Sequence, residues 1–359
     1  MIDQDDLRAG VSAGILTEAQ ASSLAALSGS RRGTRENLKP GDEPFELFKG
    51  FNEIFIVVGL LIFAGGWASI VGLTAASEIT NPRVVAPQYG LTGAAVIWAL
   101  SEYFIRRRRM VAPAITLSIL FALNAAIWLT AYFAEPFMVA REDYSSLPWP
   151  FAIGTLALFV YWFRFRVPFA MAMIAVGLFI VAILLAATSQ GTPESPTDLF
   201  LLSAAGPFAW ITLALGIGVF VVAMVFDMSD PHRVTRRSSN GFWLHIVAAP
   251  ALVNTVALSL LDTDTAAANG LLIIFLALIA VVAMVIDRRS FLIAAVGYIM
   301  VLSATVLDGE GTAVSVLILG AVLLALGAFW DRIRAALLSI LPFLPKDRLP
   351  PSYSQEGSS

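Results

Sequence analysis

Two groups of residues in this chain carry side chains able to do chemistry inside an apolar setting. The first is His245, with Asp227 and Asp230 across the preceding turn. An imidazole beside a carboxylate responds to pH near neutrality and stores or passes a proton. The simpler account of a lone histidine is a satisfied interfacial side chain. The second group is Pro113, Asn124 and Trp128, joined later in the chain by Trp243, Pro250 and Asn254. On a helix these spacings put each trio on one face. A proline inside a helix withholds one N–H and leaves a carbonyl free. An asparagine in a dry setting points its amide at another helix or at a cavity. These residues therefore predict a substrate-lining or hinge face, or else interhelical hydrogen bonding at packed kinks, and the sequence leaves both open.

Other chemistry is poorly provided for. The chain has no Cys, hence no thiol nucleophile, disulfide or Cys-based metal site. No HxxxH, HExxH or acidic cluster falls inside an apolar run, so neither an intramembrane metal nor a cofactor is expected. Asp262-Thr263-Asp264 and Asp308-Gly309-Glu310 lack the spacing of a calcium loop. No serine motif pairs with His245 as a nucleophile needs. The expectation is a protein that is not an enzyme. A net charge of −3 gives no reason to expect a nucleic-acid partner.

These groups are set in long hydrophobic runs broken by short polar segments. Hydrophobic residues make up 58% of the chain and charged ones 14%, against about 25% charged in a soluble domain. The runs predict an all-α, polytopic transmembrane bundle of ten spans: 54–75, 84–104, 111–133, 149–165, 167–187, 204–226, 241–261, 270–286, 290–307 and 312–330. All but two of the 23 Lys and Arg fall in every second break or at the termini, the exceptions being Arg83 and Arg141. By the excess of basic residues in cytoplasmic loops, both termini are cytoplasmic. On this reading the basic residues are there for topology, and Glu102 pairs with the adjacent Arg106–Arg109 run. Trp67, Trp149, Trp162, Trp243 and Trp330 read as interfacial anchors. Gly65, Gly66, Ser69 and Gly72, with Gly216 and Gly218, read as points of close helix approach.

Val222–Asp227 resembles Val282–Asp287, and each ends a run at a basic turn. Spans 2–3, 4–5, 6–7 and 8–9 then read as four copies of one hairpin, flanked by spans 1 and 10; chance similarity of apolar sequence is the alternative. The chain divides into a cytosolic helical hairpin (1–28), a polar linker (29–53), the membrane domain (54–330) and a tail (331–359). The tail opens with an interfacial helix over 331–341. In the hairpin, Gly14 closes a first helix and Thr17 caps a second, with Gln20 placed for a capping box. No apolar leader precedes the first span, so no cleavable signal is expected.

The segment Asp6-Leu7 … Ala13-Gly14-Ile15-Leu16-Thr17-Glu18-Ala19-Gln20 … Leu24 … Leu27 resembles the N-terminal element of the DUF2157 class of multi-pass bacterial membrane proteins. It is also similar to the short SHOCT-type hairpin. The resemblance covers under thirty residues. It implies a bacterial inner-membrane protein and an interaction role for the hairpin, and carries no defined activity with it. Two functions are expected. One is a transporter or permease-like protein for a neutral or apolar solute, with Asn124, Asn254 and the Pro113 and Pro250 kinks on its path. The other is a membrane scaffold, or an envelope-assembly component, that docks a cytosolic or membrane partner through the hairpin. In either case the partner common to both is the lipid bilayer.

Overall fold

The computed structural model describes residues 10–17, 20, 21, 24, 51–77, 82–135, 138–141, 143–231, 233, 235–263, 265–288, 291, 310–341, 345 and 348–350. Among them the regular structure is helical and no strand is present. The long helices are α1 (Phe51–Ser77), α2 (Pro82–Ser101), α3 (Ala112–Phe133), α4 (Pro148–Phe165) and α5 (Pro168–Gln190). They are followed by α6 (Phe208–Met228), α7 (Arg236–Asp262), α8 (Ala266–Ile286) and α9 (Glu310–Ile340). Within the described residues, α1, α3, α5, α6, α7 and α8 are long and apolar enough to cross a membrane. The chain is a multi-pass membrane protein. The run at 290–307 lies almost wholly outside the described residues, as does most of the N-terminal hairpin.

The helix ends follow from local chemistry. Pro113, Pro148 and Pro168 each stand in the first turn of their helix, where a missing N–H costs nothing and a fixed φ helps. Pro113 is thus a helix start and makes no kink in α3. Thr235 and Thr265 cap α7 and α8 by accepting hydrogen bonds from Arg237 N and Ala268 N, at 3.1 Å each. Because α7 starts at Arg236, residues 236–240 of the break expected between the spans 204–226 and 241–261 are helical. At the other end of the chain, Phe329 breaks α9 with φ −115° and ψ 17°, next to the expected join between span 10 and the interfacial helix. Near the N-terminus Thr17 N donates to Gln20 Oε1 at 3.0 Å, and Gln20 N returns the bond to Thr17 Oγ1 at 3.2 Å. That reciprocal pair is a capping box.

The helices pack as hairpins. α2 lies against α3, α4 against α5 and α6 against α7, while α1 packs on α3, α3 on α4, α5 on α7 and α7 on α8. One unusual device recurs at the turns. Arg109, Arg166, Arg233 and Asp287 follow α2, α4, α6 and α8, and all four have φ of 54–55°. A residue with a Cβ pays in this left-handed region. A glycine would pay nothing, so the side chains kept at these turns have other work.

Close approach is made by different glycines from those expected. A Cβ added at Gly65, Gly66, Gly72 or Gly218 would meet nothing within 4 Å. At Gly90 it would lie 2.7 Å from the backbone N of Trp128, and at Gly93 it would run into the Asn124 amide. The α2–α3 contact is therefore tight against backbone, and a Cβ on Gly65, Gly66 or Gly72 of α1 makes no such contact. Gly216 does fit the expectation, 3.0 Å from Ala251 Cβ by the same measure.

Candidate functional site

The densest polar construction in the described residues lies at the arginine-rich end of α6, α7 and α8. Asp227, in the last turn of α6, and Arg288, just past α8, are each 7% exposed, and His245 on α7 is fully buried. Arg288 Nε donates to Asp227 Oδ2 at 2.9 Å and its Nη2 to Asp227 Oδ1; Nη2 also reaches Ser238 O at 2.9 Å. This is a two-pronged guanidinium–carboxylate pair. His245 Nε2 lies 3.0 Å from Asp227 Oδ2. An ionised carboxylate only accepts, so Nε2 is the ring nitrogen that carries hydrogen. Nδ1 is buried without a hydrogen-bond partner, and the ring is edged by Phe220 at 5.5 Å and Phe291 at 5.7 Å. Gly241 leaves room for the carboxylate, since a Cβ there would overlap Asp227 Oδ1. Asp230, the other acid considered for His245, instead accepts from Thr235 N and Oγ1, both at 2.8 Å.

The arginines at this end make specific bonds between turns. Arg164 beside turn α4/α5 pairs with Glu102 beside turn α2/α3 at 2.9 Å. Arg236 at turn α6/α7 donates to Arg166 O at 3.4 Å, and Arg288 after α8 holds Asp227. Arg334 on α9 donates to Met284 O at 3.0 Å and Val285 O at 3.4 Å, covering open carbonyls at the end of α8. Each reaches back to the turn before it, and Arg334 also donates forward to Pro350 O at 2.6 Å. Arg233 reaches forward to Asp287 at 2.8 Å, and Trp330 Nε1 donates to the same carboxylate at 2.8 Å. Trp330 is thus a buried structural bond rather than a lipid-facing anchor. Burial lowers the Arg233 pKa, with the nearby Arg288 charge adding to the shift and Asp287 opposing it; a guanidinium keeps its proton through such a shift.

These ties differ in worth. Glu102, one-third exposed, also takes Arg106 at 3.1 Å, the local pair expected from sequence. Exposed pairs of this kind contribute about 0–1 kcal/mol. Glu102→Gln should accordingly move the detergent-solubilised unfolding midpoint little, and raising salt should leave the wild-type midpoint nearly unchanged. Glu53 has a quieter role that sequence reading missed. It is buried in α1 and its Oε2 accepts from Ala112 N at 3.1 Å, capping α3.

Apolar clefts lie between the described helices, and three of them bear on the expected site residues. The first, about 330 Å³, is walled by α1, α2 and α3 and includes Trp67, Tyr89, Gly93 and Asn124. The second, about 430 Å³, lies between α3, α4, α5 and α7, with Leu123, Phe169, Val176, Trp243 and Ile246 on its wall. The third, about 230 Å³, lies between α5, α6 and α7 under Leu199 and Phe200, and includes Thr212, Val247 and Pro250. Leu123 borders the first and second, while Val176 and Ile180 border the second and third. No charged side chain lines any of them.

The expected site residues are therefore distributed. Trp243 and Pro250 line adjoining clefts, and Asn124 lines the first cleft, where its Nδ2 donates to Leu120 O of its own helix at 2.8 Å. Asn254 is half-buried and lines none of the three. Trp128 packs its backbone on Gly90, Pro113 starts α3, and His245 belongs to the ionic cluster. The two asparagines do not share a cavity. Arg288 was invisible to sequence reading as a partner of Asp227; the Val222–Asp227 and Val282–Asp287 match was the available signal, because it sets an acid at the end of each apolar run. No protein-family model, curated protein or solved structure matches this chain.

Proposed function

We propose that this chain is a permease-like protein of a bacterial cytoplasmic membrane, passing a neutral or apolar solute along α5 and α7 through the second and third clefts. One observation carries the reading: the second and third clefts adjoin at Val176 and Ile180, with Trp243 on one wall and Pro250 on the other. The Phe169–Trp243 edge pair, 4.7 Å between centroids, borders the end nearer the arginines. Phe200 covers the opposite end, tied down where Ser259 Oγ donates to Phe200 O at 3.2 Å. The lack of charge along the way favours an uncharged solute. Ten spans with both termini in the cytosol fit the charge distribution, and the left-handed residue at each of four basic turns supports a hairpin repeat. The likeness of the N-terminal segment to DUF2157 proteins agrees with this setting. No catalytic role is assigned.

Single cysteines at positions 176, 180 and 246 test the path, since the chain has no native Cys. Modification of all three by a small thiol reagent, each site reached from one aqueous side or the other, is the expected result. Complete protection beside reactive loop controls would sink the path.

The second reading is a scaffold, and the backward-reaching arginines favour it, because they brace the cytosolic turns into one platform. The Thr17–Gln20 capping box fixes one helix start in the N-terminal segment. Protection of the cysteines, together with loss of a bound partner on deletion of residues 1–35, would put this reading first.

A further inference from the structure

The first cleft presents a donor and an acceptor that no neighbour satisfies. Asn124 stands near the middle of α3, and its Nδ2 is spent on Leu120 O at 2.8 Å. That bond fixes which amide atom is which and leaves Oδ1 as an acceptor with no partner among the described residues. Trp67, near the middle of α1, has an indole N–H that donates to none of them either. Tyr89 sets the indole: the two rings meet edge to face at 5.7 Å, and the Tyr89 hydroxyl is engaged with Thr74 Oγ1 at 3.4 Å. Both free atoms converge on Gly93. A Cβ there would overlap Asn124 Oδ1 and stand 2.9 Å from Trp67 Nε1. Neither atom is sealed, in contrast to Thr212 Oγ1 and Trp162 Nε1, which are buried and unpartnered. Trp67, Gly93 and Asn124 all line the cleft.

The rest of the cleft defines what would meet them. Phe63, Val71, Ile97 and Leu120 make a hydrocarbon wall, and no charged side chain is present. A charged ligand would be desolvated here without compensation. A lipid tail would fill the wall and leave both polar atoms unmet. A ketone, ester or ether accepts from Trp67 but has no hydrogen to give Asn124. A hydroxyl does both. At mid-helix depth there is no bulk water to stand in, so the partner comes from the bilayer. Leu123 and Ile127, at the cleft's edge, are exposed and leave a way in from the lipid.

We infer that the first cleft is a binding site for a lipid-soluble alcohol. Its hydroxyl accepts from Trp67 Nε1 and donates to Asn124 Oδ1, while its hydrocarbon body lies along α1 and α2. Gly93 keeps the floor bare so that one oxygen reaches both groups. Asn124 is the specificity-determining residue, because only a ligand with a hydrogen to give can use it. The site meets the path through the second and third clefts only at Leu123, and it does not rest on the permease reading.

The test uses the full chain in phosphatidylcholine nanodiscs and two photoactivatable probes of equal length, decan-1-ol and nonyl methyl ether, each with a mid-chain diazirine. Peptide mass spectrometry reads labelling at Ile97 and Leu120, which are buried in the cleft wall, against Ile62, which is exposed on α1 and reports the lipid background. The alcohol is expected to label Ile97 and Leu120 about fivefold to tenfold more than the ether, the worth of one hydrogen bond, and to be displaced by excess decan-1-ol. Asn124→Leu keeps the shape and removes the acceptor, so it should bring the alcohol down to the level of the ether and leave the ether unchanged. Trp67→Phe keeps a ring without its N–H and should lower both probes. The two probes are compared on the wild-type chain, so the result stands even where a variant fails to fold. Equal labelling by alcohol and ether in wild type would overturn the site, as would labelling at Ile97 and Leu120 no higher than at Ile62. The cysteines at 176, 180 and 246 read the path separately.

Discussion

Replacing Asp227 with alanine should lower the unfolding free energy in mild detergent by about 3–5 kcal/mol, the cost of stranding a buried charge. The Arg288 guanidinium would keep only the Ser238 carbonyl, in a place that is 7% exposed. His245 would lose the acceptor for Nε2, and its Nδ1 already has no partner. Two buried groups would thus be left wanting by one substitution, which is why the effect should exceed that of an ordinary ion pair. The comparison that isolates the cause is the double variant Asp227→Ala with Arg288→Met. Removing both charges and filling the volume with an apolar chain should recover most of the loss, since a buried pair is often no better than a well-packed hydrophobic substitute. Circular dichroism and intrinsic fluorescence against increasing denaturing detergent give the midpoints. A single-variant loss below about 1 kcal/mol would mean that Arg288 finds water there, as exposed pairs do, and the sealed-cluster description would be wrong.

Gly90→Ala should destabilise the bundle by about 1–3 kcal/mol, the usual cost of forcing extra volume into a packed contact. The obstruction is backbone: the added methyl would meet Trp128 N at 2.7 Å and Trp128 Cα at 2.8 Å. No side-chain rotation relieves such a clash, so α2 and α3 must part, and the Asn124 amide against Gly93 moves with them. Gly65→Ala is the matched control. Nothing lies within 4 Å of its added methyl, and alanine is the better helix former by about 1 kcal/mol. The two substitutions should therefore shift the midpoint in opposite directions. Equal shifts would mean that the α2–α3 contact is looser than described.

What the sequence disclosed and what it hid divide along a physical line. Hydrophobic runs and charge placement located helices at nine of the ten expected spans, and local chemistry located the Thr17–Gln20 capping box, the break beside Trp330 and the Glu102–Arg106 pair. All of these depend on neighbours in the chain. Which face of a membrane helix meets another helix is different, because lipid is as apolar as leucine and the pattern looks the same on both sides. That is why the glycines of α1 looked like packing residues when Gly90 and Gly93 are. It is also why the sequence left open whether Asn124 and Asn254 line a path or pack between helices. Pro113 misled for a simpler reason: its helix begins one residue before it, and a proline there bends nothing. Trp243 and Pro250 did reach adjoining clefts, while the carboxylate–guanidinium pair of Asp227 and Arg288 needed the tertiary fold to be seen.

The direction in which the arginines reach also has a temporal meaning. Arg164, Arg236 and Arg288 bond to groups that precede them in the chain, and Arg334 bonds both back to Met284 O and forward to Pro350 O. A hairpin leaving the ribosome would therefore find its acceptor already inserted, and assembly can proceed in the order of synthesis. Asp227 is the exposed moment of that schedule: its carboxylate waits through the whole of α7 and α8 before Arg288 arrives to neutralise it. Until then His245 on α7 is the one buried side chain described against that carboxylate.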